Sequence, residues 1–96
     1  MSRRPLSELL DRSLTARREL FDLRHESAFR LFNGFTEGCP ELVADLYGAT
    51  LVLNNYADKP EQGYPLVQEA EGFFRTHLTW LQAGIIKTRS GNTEAE

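Results

Sequence analysis

The sequence is short of most of what a self-contained enzyme uses. Its 96 residues hold one Cys, one Met and one Trp, and its two His, His25 and His77, stand far apart. A single Cys closes no disulfide within the chain, so the fold must rest on a hydrophobic core, which suits the reducing cytoplasm. One Cys and two separated His offer no close ligand pair, and no metal site is expected. No apolar run approaches the roughly 20 residues of a membrane helix, so no membrane partner is expected. The start, Met1-Ser2-Arg3-Arg4-Pro5, is charged but leads into no apolar stretch, which argues against a secretory signal. The patterns G-x-G-x-x-G, G-x-x-x-x-G-K-[ST] and H-E-x-x-H are all missing. The length itself admits one small domain and excludes a (β/α)8 barrel of roughly 250 residues.

A basic excess is missing too. The formal net charge is −3, where a nucleic-acid-binding domain working alone is usually basic. The charge is nevertheless uneven. Residues 1–30 carry 7 Arg against 5 acids, a net of +2, and residues 31–96 carry a net of −5. Any phosphate contact must therefore come from a local patch.

What remains is an ordinary globular mix, 41% hydrophobic and 26% charged. Leu6, Leu10, Leu14 and Phe21, widened by Leu9 and Leu20, predict a helix over about 6–23, with Pro5 tolerated at its first turn. Ala28–Asn33 is short and aromatic-rich and reads as a strand. Gly34, Gly38 and Pro40 then mark 34–40 as a loop. Leu42–Tyr47 and Thr50–Tyr56 read as two further strands joined at Gly48 by a tight type II′ turn. Tyr64 or Pro65 opens a second helix to about Leu81, closed by Trp80, with Leu66, Val67, Ala70, Phe73, Phe74 and Leu78 on one face. Gly84–Arg89 is a last strand, and residues 90–96 form a polar tail expected to be disordered. The expected class is α+β. An N-terminal helix precedes β-β-β-α-β, residues 1–89 form one domain, and helices pack a small mixed four-stranded sheet. The final β-α-β step suits a parallel crossover.

Chemistry is harder to find. Cys39 lies between Glu37 and Glu41, without the positive charge that activates a thiolate, and reads as a structural residue. His25 and His77 read as surface or packing residues. Asp45, inside a strand, reads as facing solvent by alternation or bonding a nearby backbone group. Gly34–Gly38 lies between two expected strands and has no helix dipole to offer a phosphate. Phe29, Phe32, Phe35 and Tyr47 have the spacing of residues that pack a sheet rather than stack on bases. The basic residues Arg17, Arg18, Arg24, Arg30, Lys87 and Arg89 are the candidates for RNA phosphate contact, against the reading that they form a solvated face with interleaved acids. No catalytic, cofactor-binding or metal-binding residue is assigned.

Residues 29–48 carry a more specific signal. The run FRLFNGFTEGCPELVADLYG resembles a segment of the S-adenosylmethionine-dependent cytosine-5 methyltransferases of large-subunit ribosomal RNA. Arg30, Leu31, Asn33, Gly34, Gly38, Pro40, Leu42, Asp45, Tyr47 and Gly48 match that pattern, and the flanking helices and last strand fall in the same order. Phe35, Glu37, Cys39 and Glu41 depart from it, as in a divergent branch. The resemblance implies a small non-catalytic α/β domain between an RNA-binding domain and the catalytic domain. S-adenosylmethionine and the catalytic cysteine would then lie outside this chain, and Cys39 inherits no role. The chain would be an excised domain or a natural fragment, partnered by the catalytic domain in cis and by structured ribosomal RNA. The alternative is a stand-alone interaction module that homodimerises through a helix or sheet edge.

Overall fold

In the computed structural model, which describes residues 4–89, helix α1 spans Leu6–Ala16 and is followed by a 3-10 turn at Arg18–Leu20. Strand β1 is Ala28–Asn33, helix α2 Gly34–Glu37, β2 Leu42–Tyr47, β3 Thr50–Asn55, α3 Pro60–His77 and β4 Ala83–Thr88. The sheet runs β1-β2-β3-β4, antiparallel in its first two pairings and parallel in the third, where α3 makes the crossover. This is the expected α+β class with a mixed four-stranded sheet. The expected tail, 90–96, lies outside the described residues.

β3 ends at Asn55 rather than Tyr56, β4 runs Ala83–Thr88 rather than Gly84–Arg89, and three other segments differ more from expectation. The first helix stops at Ala16 rather than near residue 23. Past it, Asp22 builds a competing turn by accepting the backbone N–H groups of Glu26 and Ser27. The segment 34–37 is helical rather than loop. Asn33 Oδ1 accepts the Phe35 N–H, the Glu37 carboxylate accepts the Asn33 N–H at 2.8 Å, and Gly38 ends the turn at φ +107°. The second helix begins at Pro60, which sits at N1 where no N–H is needed, and ends at His77, so Trp80 lies beyond it.

The core forms on one side of the sheet. Leu42, Ala44, Leu46, Leu51 and Leu53 point to α1 and α3, meeting Leu6, Leu9 and Leu10 from one helix and Val67, Ala70 and Phe74 from the other. In β1 a bulge falls between Arg30 and Phe32. It turns Leu31 and Phe32 to the same side, and both are fully buried, while Arg30 stays on the other face. Gly48, at φ +62°, gives the two-residue hairpin between Tyr47 and Thr50, with a positive angle at its first position only, as a type II′ turn requires.

Two glycines give opposite expectations. A Cβ on Gly34 would lie 1.8 Å from the Cys39 carbonyl oxygen and 2.1 Å from that of Leu42, both backbone atoms. Gly34→Ala is expected to cost about 3 kcal/mol or more in urea unfolding. Gly72, on an exposed turn of α3, has nothing within 4 Å of that position. Gly72→Ala is expected to add about 0.5–1 kcal/mol.

Candidate nucleic-acid interface

The face opposite the core is covered by no helix among the described residues. Its strand positions follow from register. Arg30, Asp45 and Val52 lie in one cross-strand row, with Ile85 beside Val52 and Lys87 beside Asn54. Val43 and Val52 on this face are buried. With no element above them, the long side chains of the same face must shield them.

Those side chains are joined by hydrogen bonds. Arg30 Nε donates to Asp45 Oδ1 at 2.7 Å and its Nη2 to Oδ2 at 3.4 Å. Asn54 Nδ2 donates to Asp45 Oδ2 and to the Val43 carbonyl, both at 3.2 Å. Arg89 Nε donates to Asn54 Oδ1 at 3.1 Å. The ladder thus links β1, β2, β3 and the residue just past β4. The Asp45 side chain is only 13% exposed, so it needs these donors, while that of Arg30 is 50% exposed. The hydrogen bond to Asp45, helped by its charge, pushes the Arg30 guanidinium above its ordinary value. Each arginine keeps N–H groups that meet no described residue.

The six basic candidates divide into three groups. Arg30, Lys87 and Arg89, from distant parts of the sequence, share the open face. Arg18 and Arg24 are exposed on the segment between α1 and β1 and pair with no described acid. Arg17 is committed to the fold. Its Nη2 and Nη1 grip the two Glu37 carboxylate oxygens at 2.6 and 3.0 Å, and its Nε donates to the Arg30 carbonyl at the bulge. Its side chain is 19% exposed.

The aromatic candidates divide as well. Phe32 is in the core, and Phe29 packs on Phe21 at 5.1 Å between ring centroids. Phe35 meets Tyr56 at 5.2 Å. Tyr47 stands on the open face, 57% exposed. Cys39 is buried with its Sγ 3.6 Å from a Glu41 carboxylate oxygen. His25 stacks on Trp80 at 3.9 Å, and His77 Nδ1 lies 2.9 Å from the Phe73 carbonyl. Asn54, which bridges Asp45 to Arg89, escaped the sequence reading. The clue was Asn54-Asn55, two poor strand formers closing an apolar strand.

No protein-family model matches the chain, and no curated protein matches it. Solved structures do. One is a candidate methyltransferase, SMU.776, complexed with SAH; it has TM-score 0.72 and 21% identity over 88% of this chain. Another is a candidate SAM-dependent methyltransferase from Streptococcus mutans, with the same score and identity over 88% of this chain. The chain shares their fold. It spans only 21% and 22% of their lengths.

Two strand–helix junctions are filled by the chain itself. At the β1–α2 junction, Gly34 is closed over by the Cys39 and Leu42 carbonyls. At the β3–α3 junction, the Asn55 side chain fills the space against Gly63 and bonds Pro60 and Ala57. A hollow of about 540 Å³ between α1 and α2, lined by Leu9, Arg12, Thr36 and Glu37, is broad and open. Among the described residues no group of acids, His or Cys could hold a metal ion, and no helix is long and apolar enough to cross a membrane.

The Arg17–Glu37 pair sets a pH dependence. Burial alone would push the Glu37 carboxyl up. The Arg17 hydrogen bonds, the Asn33 N–H and the Arg17 charge outweigh it and hold the group below its usual 4.5. A lowered carboxyl stabilises the fold above that usual value, and the gain is lost as pH falls through the lowered one. Glu37→Gln is expected to flatten the acid limb of stability measured by urea unfolding between about pH 3 and 7. Equal slopes in both proteins would contradict this.

Proposed function

We propose that the chain is a non-catalytic domain of an S-adenosylmethionine-dependent RNA methyltransferase, of the ribosomal cytosine-5 type that residues 29–48 resemble. It packs against the catalytic domain in cis and helps position structured ribosomal RNA in the cytoplasm. Methyl transfer belongs to the other domain; this one supplies surface and charge. The observation that carries the reading is the gathering of Arg30, Lys87 and Arg89 on the sheet face opposite the core, in a chain whose net charge is −3. The fold shared with two candidate methyltransferases supports it.

The test is titration of the chain with a structured ribosomal RNA fragment at two salt concentrations. Binding is expected to weaken as salt rises, and Lys87→Ala is expected to lower the logarithmic salt slope by about 1. Absence of binding even at low salt removes RNA contact from the proposal.

A second reading rests on β4. It is an edge strand, and its neighbours Ile85 and Ile86 face opposite sides of the sheet yet are 46% and 49% exposed. An apolar edge that no described strand pairs supports homodimerisation by strand pairing. Light scattering across a concentration series decides it. A stable dimer without RNA affinity favours this reading, and a monomer that binds RNA favours the first.

A further inference from the structure

The open face carries more than cations, and its exposed ring narrows what it can take. Tyr47 ends β2 two residues after Asp45, so its ring stands about 7 Å along the strand from the Arg30–Asp45 pair. The hairpin turns immediately at Gly48, whose N–H donates to the Ser27 carbonyl at 2.9 Å, and the ring stays 57% exposed. Beside it lies a hollow of about 270 Å³ bounded by Ala28, Phe29, Arg30, Asp45 and Tyr47. That is smaller than the cavities that enclose drug-sized ligands and suits a single planar ring. Across the sheet, Lys87 sits three strand spacings, about 14 Å, from Arg30 and two residues, about 7 Å, farther along the strands. Among the strand positions of this face, Asp45 is the one acid, and it is already paired.

These features discriminate between states of RNA. In a duplex the bases stack on one another and offer no face to a protein ring, so only the cations would be used. An unpaired base can lie on Tyr47 while its strand crosses the sheet. An acidic peptide would satisfy the cations but has no use for a ring beside a hollow. We infer that the open face takes single-stranded RNA, with one unpaired base stacked on Tyr47 and phosphates held by Arg30, Lys87 and Arg89. This rests on the RNA-positioning reading above and adds the strand state and the stacking residue.

The experiment is fluorescence anisotropy of the full chain with three probes. They are a short mixed-sequence single-stranded oligoribonucleotide, its blunt duplex and an acidic peptide of similar charge. The single strand is expected to bind tightest. Tyr47→Thr keeps a good strand former and is expected to lose roughly five- to a hundred-fold in single-strand affinity, the worth of one base–aromatic stack. Tyr47→Phe keeps the ring and is expected to bind like the parent. Melting curves of both variants show whether the fold is intact. If Tyr47→Thr fails to fold, weaker duplex than single-strand binding by Tyr47→Phe supports the inference, and equal binding overturns it. Equal binding of strand, duplex or peptide by the parent, with no effect of Tyr47→Thr, overturns the stacking inference. Duplex binding alone then leaves the RNA-positioning reading standing. Failure of every RNA to bind overturns both.

Discussion

The arrangement turns on one carboxylate. Asp45 sits at the centre of a sheet face, largely shielded from water, and a charge so placed must be matched. Arg30 reaches it from β1 and Asn54 from β3, and Asn54 in turn fixes Arg89. The bulge in β1 makes this possible. It lets Leu31 and Phe32 both enter the core while Arg30 keeps the opposite side. Arg17 caps the carbonyl left at the bulge and clamps α2 through Glu37, tying α1 to the sheet. Core packing on one face and charge pairing on the other are therefore coupled through three residues of β1.

This coupling gives an acidic chain a basic face. The acids outnumber the bases overall, yet many of them are spent elsewhere. Glu8 bonds Arg4, Glu71 bonds Arg75 on α3, Glu37 bonds Arg17, and Asp22 holds a backbone turn. The backbone N–H of Glu26, with Ser27, keeps the Asp22 carboxyl below its usual range, so it stays ionised within the turn. On the open face the arginines are oriented by their neighbours, which reduces the entropy a partner must remove on binding.

Much of the fold was legible in the sequence because it is written in short-range patterns. Short runs rich in apolar, β-branched and aromatic residues marked Leu42–Tyr47 and Thr50–Tyr56, of which the strand keeps Thr50–Asn55, and Gly48 marked the hairpin between them. Helix limits were less legible because caps decide them. Asp22 and Pro60 are ordinary residues in the sequence, and their effect depends on which N–H groups lie nearby. The bulge was invisible, since Phe29-Arg30-Leu31-Phe32 alternates acceptably as a plain strand. The candidate site was half legible. Six cations were visible, but only the strand order shows that Arg30, Lys87 and Arg89 converge while Arg17 turns inward. Asn54 drew no attention because its role exists only once β2 and β4 flank it.

The most direct measurement is an NMR titration of the labelled chain with RNA, following side-chain signals. The account predicts shifts at the Arg30 and Arg89 Nε–H groups, the Asn54 amide and the Tyr47 ring, with α1 and α3 unmoved. Shifts confined to Arg18, Arg24 or the helices, with the open sheet face silent, would contradict it.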